Sequence, residues 1–158
     1  MSSSTTNASN NTKIRILVVD DEPDILFTLD EVLSEQGHYV KTFDNPVEAL
    51  SHLTNSSNNN SNDEANTPPS NYYDLVITDH RMPGSGITGV DLAKRVKEHN
   101  IRTRQRKTKV FLMSATLNLS SLPEEFVEAL KPEIVDEFIQ KPISNDKLIA
   151  IVEKSFLT

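Results

Sequence analysis

Apolar and polar positions follow two patterns that replace one another along the chain. Short runs of mostly consecutive apolar residues are typical of strands buried on both faces. They occur at residues 13–19, 39–43, 73–78, 110–113 and 137–140. After each run, apolar residues recur every three or four positions, which predicts an amphipathic helix. We therefore expect strand and helix to alternate from residue 13 onwards.

Residues that begin and end helices support these boundaries. Pro23 suits a first helical turn, and Gly37 suits the position just after a helix. Polar caps are expected to open later helices: Asn45 before Pro46, Ser121 with Glu124 in a capping box, and Ser144. The predicted apolar faces comprise Leu26, Leu29, Val32 and Leu33; Val47, Leu50 and Leu53; Val90, Ala93 and Val96; Phe126, Val127 and Leu130; and Leu148, Ile151 and Val152.

Two segments rich in Ser and Asn interrupt this regularity. Residues 1–12 have no apolar periodicity and are expected to form a disordered tail. Residues 54–71 have the same character and are expected to be a flexible insertion within one domain that spans 13–158. A linker between two domains is the alternative, but the stretch between the two segments is short for a stable partner domain.

Composition narrows the class of protein. The net charge of -7 argues against a general nucleic-acid-binding role, and the absence of cysteine excludes disulfides and thiolate metal sites. No apolar run approaches the length of a membrane span, and the N-terminus lacks the features of a signal peptide. A cytoplasmic protein with no membrane contact is therefore expected.

The run RTRQRKTK, at residues 102–109, is a basic cluster in this acidic chain. We expect a solvated loop between the third helix and the fourth strand, with a contact to a partner or nucleic acid as the alternative. The four histidines have no ligand spacing and are expected at the surface or its boundary: His38, His52, His80 and His99.

The alternation of strands and helices predicts an α/β protein with a doubly wound parallel sheet and helices on both faces. Ligands of such folds bind beyond the carboxyl ends of the strands. Chemically useful side chains follow the first, third, fourth and fifth predicted strands: Asp20, Asp21, Asp79, Ser114 and Lys141. The sequence therefore predicts one polar site at this edge of the sheet.

Carboxylates gathered at one site need a compensating charge, because two charges 4 Å apart repel by about 4 kcal/mol at an effective dielectric near 20. Mg²⁺ prefers such oxygen ligands and would offset the repulsion. An aspartate can also act as a nucleophile towards phosphorus. Taken alone, Asp20 and Asp21 also suit a solvated helix start, Ser114 an ordinary strand-end hydroxyl, and Phe138 a core position.

The segments VVDDE, LVITDHRMPG, FLMSAT and DEFIQKPI, in this order, resemble the receiver domain of two-component response regulators. The resemblance covers residues 13–156 and implies a flavodoxin-like sheet of five parallel strands in the order 2-1-3-4-5. It implies that Asp79 is the phosphoacceptor and that Lys141 pairs with the phosphoryl oxygens. It also implies a switch formed by Ser114 and Phe138, and a cis peptide bond between Lys141 and Pro142.

The same resemblance implies a Mg²⁺ site formed by Asp20, Asp21, Asp79 and the backbone carbonyl of Arg81. Arg81 and Thr116 would flank the site and tune the lifetime of the acyl phosphate.

The sequence departs from the family pattern in three places. The loop before Gly89 is about two residues longer, the segment after the fourth strand is long, and Ile134-Val135 replaces a common Gly-Ala pair.

The expected function is that of a stand-alone receiver, because the chain ends near its fifth helix without room for a DNA-binding output. Asp79 would accept a phosphoryl group from a histidine kinase or phosphotransfer protein, with no enzymatic activity beyond self-phosphorylation and self-dephosphorylation. The surface of helix four, strand five and helix five would then bind an unidentified protein, or the phosphoryl group would pass onward. The chain would be a monomer or a phosphorylation-dependent dimer.

Two rival functions remain open at this point. A phosphohydrolase of the haloacid dehalogenase type requires Asp-x-Asp after its first strand, whereas this chain has Asp20-Asp21-Glu22. A docking module that is never phosphorylated would keep the fold, and the longer loop after Asp79 leaves room for it.

Overall fold

The computed structural model describes residues 12–55, 71–103, 107–116, 124–129, 131 and 133–156. Nearly all of the predicted tail, nearly all of the predicted insertion and the predicted cap Ser121 lie outside these residues. Thr54 is the last residue of a helix, and Asn71 is described, so both predicted limits of the insertion fall in the described part of the chain.

Five parallel strands form a single sheet in the order β2-β1-β3-β4-β5, which confirms the predicted class and strand order. The strands are β1 (Arg15–Val19), β2 (Tyr39–Phe43), β3 (Leu75–Asp79), β4 (Lys109–Ser114) and β5 (Glu137–Gln140). β3 and all but the first residue of β4 are buried, as expected for central strands covered on both faces.

A helix follows each strand in the chain. The helices are α1 (Pro23–Glu35), α2 (Pro46–Thr54), α3 (Gly89–Thr103), α4 (Glu124–Ala129) and α5 (Asn145–Phe156). Pro23 opens α1, and Gly37 has a φ of 89°, a left-handed conformation that favours glycine just after a helix. The Asn45 side chain accepts from the N–H of Val47, as predicted for a helix cap.

Alternate residues of each strand belong to different layers of the core. In β1, Leu17 and Val19 pack with α2, α3 and α4 on one face. Ile16 and Val18 pack with α1 and α5 on the other face. The sheet is therefore doubly wound, as predicted, and none of the described helices is long and apolar enough to cross a membrane.

Two residues assigned to inward faces point outward instead. Val47 in α2 is 46% exposed and Val127 in α4 is 57% exposed, so both predictions were wrong. In α2 the buried positions are Pro46, Ala49 and Leu53. A helix of two or three turns offers few apolar positions, so small residues such as Ala49 can define the buried face without standing out in the sequence.

Candidate functional site

Parallel register brings the ends of four strands together: β1, β3, β4 and β5. Val19 pairs with Thr78, so Asp20 and Asp79 occupy neighbouring positions just beyond that pair. Ser114 pairs with Gln140, the residue before Lys141. We call this set the carboxyl edge: Asp20, Asp21, Asp79, Ser114 and Lys141.

Three carboxylates of the carboxyl edge converge. One oxygen each from Asp20, Asp21 and Asp79 can be chosen so that all lie within 4.8 Å of one another. Asp20 is fully buried and Asp79 is 7% exposed, whereas Asp21 lies at the surface. Clustered carboxylate oxygens, partly open to solvent, fit the ligand preference of a hard divalent cation such as Mg²⁺.

Local hydrogen bonds fix the position of Asp20. Its backbone N–H donates to the carbonyl of Phe43 over 3.1 Å, which ties it to the end of β2. Its Oδ1 accepts from the N–H of Glu22 over 2.9 Å, in the local turn that Asp commonly forms. The second carboxylate oxygen is thereby directed to the other side of the site, where it meets Lys141.

Lys141 bridges the two buried acids. Its Nζ lies 2.7 Å from Asp20 Oδ2 and 3.2 Å from Asp79 Oδ1. Its backbone N–H donates to the carbonyl of Ser114 over 2.9 Å. The peptide bond between Lys141 and Pro142 is cis, as the resemblance implied. The site therefore contains a positive charge placed between its two buried carboxylates.

The electrostatics of the site oppose the charged form of Asp79. Burial raises the pKa of the Asp79 carboxyl above its ordinary value, and the charge of Asp20 raises it further, against the opposing effect of Lys141. For Lys141, burial alone lowers the pKa, but the hydrogen bonds and charges of Asp20 and Asp79 outweigh it and raise the pKa. A buried acid held beside another acid is typical of functional sites.

The two predicted switch residues occupy different environments. Ser114 is buried, and its Oγ accepts from the N–H of Thr116 over 3.2 Å. Phe138 is partly buried against the core that includes α2, α3 and α4, with its ring 6.4 Å from the ring of Phe126. Ser114 thus lies at the site, whereas the switch role of both residues stays a prediction.

The loop after β3 explains why glycine stands at position 89. A Cβ atom built on Gly89 would lie 2.2 Å from the carbonyl oxygen of Asp79 and 2.7 Å from Leu112 Cδ1, so no side chain fits. The N–H of Gly89 donates to the carbonyl of His80 over 2.9 Å. Despite its extra length, the loop brings a glycine against the end of β3, at the position suggested by the sequence. Arg81 is exposed, and a metal contact by its carbonyl stays a prediction.

The sequence patterns did not indicate that His80 is buried beside the carboxyl edge. It is 2% exposed, and its ring lies 4.3 Å from the ring of Phe126 in α4. His38 is also buried, so the prediction of surface or boundary positions was wrong for both residues. Position 80 directly follows a fully buried strand, and this proximity was the signal available in the sequence. A histidine can fill such a site because its ring packs like an aromatic residue.

The basic run 102–109 is not a single solvated loop in its described part. Arg102 and Thr103 belong to α3, and Thr108 is buried. Lys109 begins β4, donates through Nζ to the carbonyl of Ser155, and lies with Nζ 4.9 Å from the centre of the Phe156 ring. Residues 104–106 lie outside the described residues. At least Lys109 is therefore part of the fold, which corrects the expectation of a loop.

A family model described as the response regulator receiver domain matches residues 16–153. The nitrogen assimilation regulatory protein NtrX of Azorhizobium caulinodans is 28% identical over 143 residues, an alignment that covers 90% of this chain and 26% of NtrX. The chemotaxis protein CheV1 of Helicobacter pylori is 31% identical over 142 residues, which cover 90% of this chain and 37% of CheV1. The chain thus spans well under half the length of these curated relatives.

Solved structures agree with these matches. The response regulator protein TrrA of Thermotoga maritima, in complex with Mg²⁺ and BeF, superposes with a TM-score of 0.61 at 33% identity, covering 90% of this chain and 98% of TrrA. The non-phosphorylated receiver domain of HemR from Leptospira biflexa gives a TM-score of 0.66 at 24% identity, covering 92% and 97% of the two chains. The second similarity supports the fold.

Proposed function

Since the chain belongs to the response regulator receiver domain family, we propose that it is a phosphorylation-controlled signalling module with Asp79 as its phosphoacceptor. One observation carries the proposal: Asp79 is buried at the end of a central strand, with Lys141 Nζ 3.2 Å from its carboxylate and the Asp20 carboxylate beside it. Receiver domains are phosphoacceptor signalling modules that bind Mg²⁺ at an acidic pocket.

In the proposed reaction, a carboxylate oxygen of Asp79 attacks the phosphorus of a phosphohistidine on a histidine kinase or phosphotransfer protein. The new oxygen–phosphorus bond forms as the nitrogen–phosphorus bond breaks, and the imidazole leaves with the bonding electron pair. The product is an aspartyl phosphate. Such transfers depend mainly on positioning and on neutralising charge. Lys141 is placed to do both, since its ammonium group already contacts Asp79.

Asp20, Asp21 and Asp79, together with the backbone carbonyl of Arg81, are the groups we propose to hold Mg²⁺. When bound, the ion would neutralise negative charge on the carboxylates and on the incoming phosphoryl group. The structure of TrrA contains Mg²⁺ and BeF in a protein 33% identical to this chain, which supports the assignment. The carboxylate cluster within 4.8 Å is the corresponding feature here.

The proposed output is a change in the surface formed by α4, β5 and α5. Ser114 would move towards the phosphoryl group and Phe138 would follow, which would shift an equilibrium between two states of this surface. The ring of Phe138 lies near the ring of Phe126 in α4, so a movement of Phe138 would change the packing of α4. We propose that the receiver domain binds a protein target, in keeping with the net charge of -7.

Intact mass after incubation with acetyl phosphate and Mg²⁺ tests the proposal. We expect one added phosphoryl group in the wild type and none in Asp79→Ala or in a sample with EDTA. A folded wild type that gains no phosphoryl group under these conditions and also fails to bind beryllofluoride would contradict the proposal. That result would favour the docking module that the sequence left open.

A further inference from the structure

A small cavity lies at the opposite edge of the sheet from the acids. Its volume is about 10 Å³, and it lies between the end of α2, the last turns of α3 and the residues that lead into β3 and β4. Polar residues line part of it: Thr54, Asn71, His99, Asn100 and Thr108. A cavity of this size accommodates about one water molecule.

Two buried polar atoms on its lining residues have no hydrogen-bond partner in the described part of the chain. They are Nε2 of His99 and Nδ2 of Asn100, which belong to consecutive residues of α3. Asn100 as a whole is only 9% exposed. Leaving such a group unsatisfied is destabilising, so native structures rarely do so. Both atoms therefore require a partner of small size.

This requirement does not depend on which way the amide of Asn100 is assigned. The hydroxyl of Thr108 has one proton, which it donates to the carbonyl of Tyr73 over 2.8 Å. Its 3.4 Å contact with the Asn100 side chain is best satisfied if the amide nitrogen faces Thr108. The amide oxygen would then take the place now assigned to the nitrogen. In either orientation, one polar atom of the Asn100 side chain has no hydrogen-bond partner among the described residues.

We propose that this cavity binds one structural water molecule, hydrogen-bonded to the side chains of Asn100 and His99. Water fits because it can donate to one group and accept from another, as either amide orientation requires. A cation is disfavoured because none of the described residues that line the cavity is acidic. An anion is disfavoured because burial, and then the charge of Arg102, lower the pKa of His99 and so oppose the charged ring that would attract an anion.

The cavity lies beside the base of the long segment between α2 and β3. Asn71 Nδ2 donates to the carbonyls of Leu53 and Asn55 over 3.0 and 3.2 Å, which closes the base of the long segment between α2 and β3. Asn71, Leu53 and Asn100 all lie on or beside the same cavity. The water would lie between the end of α3 and this base.

A crystal structure at a resolution that shows ordered water tests the inference. In the wild type we expect one water peak within about 3.2 Å of both the Asn100 amide and His99 Nε2. Asn100→Leu replaces the amide by an apolar group of similar size, and the peak should be lost. Thr54→Val is the matched control, since Thr54 lines the same cavity but donates its hydroxyl proton to the carbonyl of Leu50. The peak should remain in that variant.

Two results would overturn the inference. One is a wild-type structure in which the cavity has closed and both side chains bond to protein groups. The other is a water peak that persists unchanged in Asn100→Leu. If that variant does not fold, His99→Phe removes the second partner and should also lose or displace the peak. None of these outcomes depends on phosphorylation of Asp79.

Discussion

The two edges of the sheet use polar side chains in opposite ways. At the amino edge, where the strands begin, side chains bond to backbone groups: Asp74 accepts from Arg15 N over 2.8 Å, Asp136 from Val110 N over 2.7 Å, and His38 Nδ1 from Ile14 N over 3.3 Å. At the carboxyl edge, the charged groups of Asp20, Asp79 and Lys141 face one another instead. The side chains of the amino edge satisfy the backbone of the fold, whereas the charges of the carboxyl edge are those that the proposed function uses.

This difference indicates where stability and function separate. Polar groups that satisfy the backbone are needed for folding, and their loss should reduce stability without altering the reaction. Like charges held together usually cost stability, and proteins tolerate them where a reaction or ligand requires them. Substitutions at the two edges should therefore have different signatures in activity and in unfolding measurements.

The largest expected effect is on activity, at Lys141. Lys141→Met removes the charge that contacts Asp79 while keeping most of the side-chain length, so the rate of phosphoryl uptake should fall by about 10²-fold or more. The rate is measured by intact mass over time with acetyl phosphate and Mg²⁺. Lys154→Met, at an exposed position of α5, is the control and should leave the rate unchanged. Equal rates of phosphoryl uptake in the two variants would show that Lys141 does not take part in the reaction.

The next effect is on stability, at the amino edge. Asp74→Ala leaves the N–H of Arg15 without its side-chain acceptor, so the free energy of unfolding should fall by about 1–2 kcal/mol. Urea denaturation measures this change, and Asp44→Ala, at an exposed position, is the control. Phosphoryl uptake by folded Asp74→Ala should match the wild type. If Asp74→Ala lost phosphoryl uptake but kept its stability, the claim that the amino edge serves the fold and not the reaction would be contradicted.

A stability gain of about 1 kcal/mol is expected from Asp79→Asn in EDTA, because the variant removes a charge that the fold disfavours. Burial and Asp20 raise the pKa of Asp79, so protonation favours the folded state. The stabilisation that protonated Asp79 gives the folded state is fully present below the ordinary pKa of the carboxyl. It is lost as the pH rises through the raised pKa. The advantage of Asp79→Asn should therefore shrink in acid. Destabilisation at neutral pH would show that the charge of Asp79 supports the fold.

The smallest effect is the pH dependence at His38. Burial lowers the pKa of His38, against the opposing charge of Glu153, so the unfolded chain binds a proton more readily than the folded one. Stability should therefore decrease by roughly 0.5 kcal/mol as the pH falls below 6.5, the ordinary pKa of histidine. Urea denaturation of the wild type and His38→Asn between pH 5 and about 7.5 measures it, and the variant should show a flatter dependence. If the free energy of unfolding of both proteins depended on pH in the same way, the pH dependence would come from groups other than His38.

The sequence was sufficient to predict the architecture and the set of residues at the carboxyl edge. Consecutive apolar residues correctly predicted the burial of β1, β3 and β4, but the edge strands β2 and β5 are only partly buried, so that expectation was wrong for them. Parallel strands necessarily bring the residues after them to one edge. The positions of Asp20, Asp79 and Lys141 follow from this register. The cis bond before Pro142 and the role of Asp79 came from the resemblance, because neither follows from periodicity.

The amino edge could not be predicted in the same way. Its hydrogen bonds join residues far apart in the sequence, such as Asp74 with Arg15 and Asp136 with Val110, and no local pattern marks them. His80, just after β3, packs against Phe126, which lies in α4 and is distant in the sequence. Side-chain partners of this kind are set by tertiary packing, which single-sequence patterns do not encode.

Borohydride trapping tests the central claim most directly. Borohydride reduces an acyl phosphate to the alcohol, so a phosphorylated aspartate becomes homoserine, which peptide mass spectrometry can locate. After treatment with acetyl phosphate and Mg²⁺, we predict homoserine at position 79 and unmodified aspartate at positions 20 and 21. Homoserine at either of those two positions, or at none of the three in a sample whose intact mass shows a phosphoryl group, would contradict the assignment of Asp79.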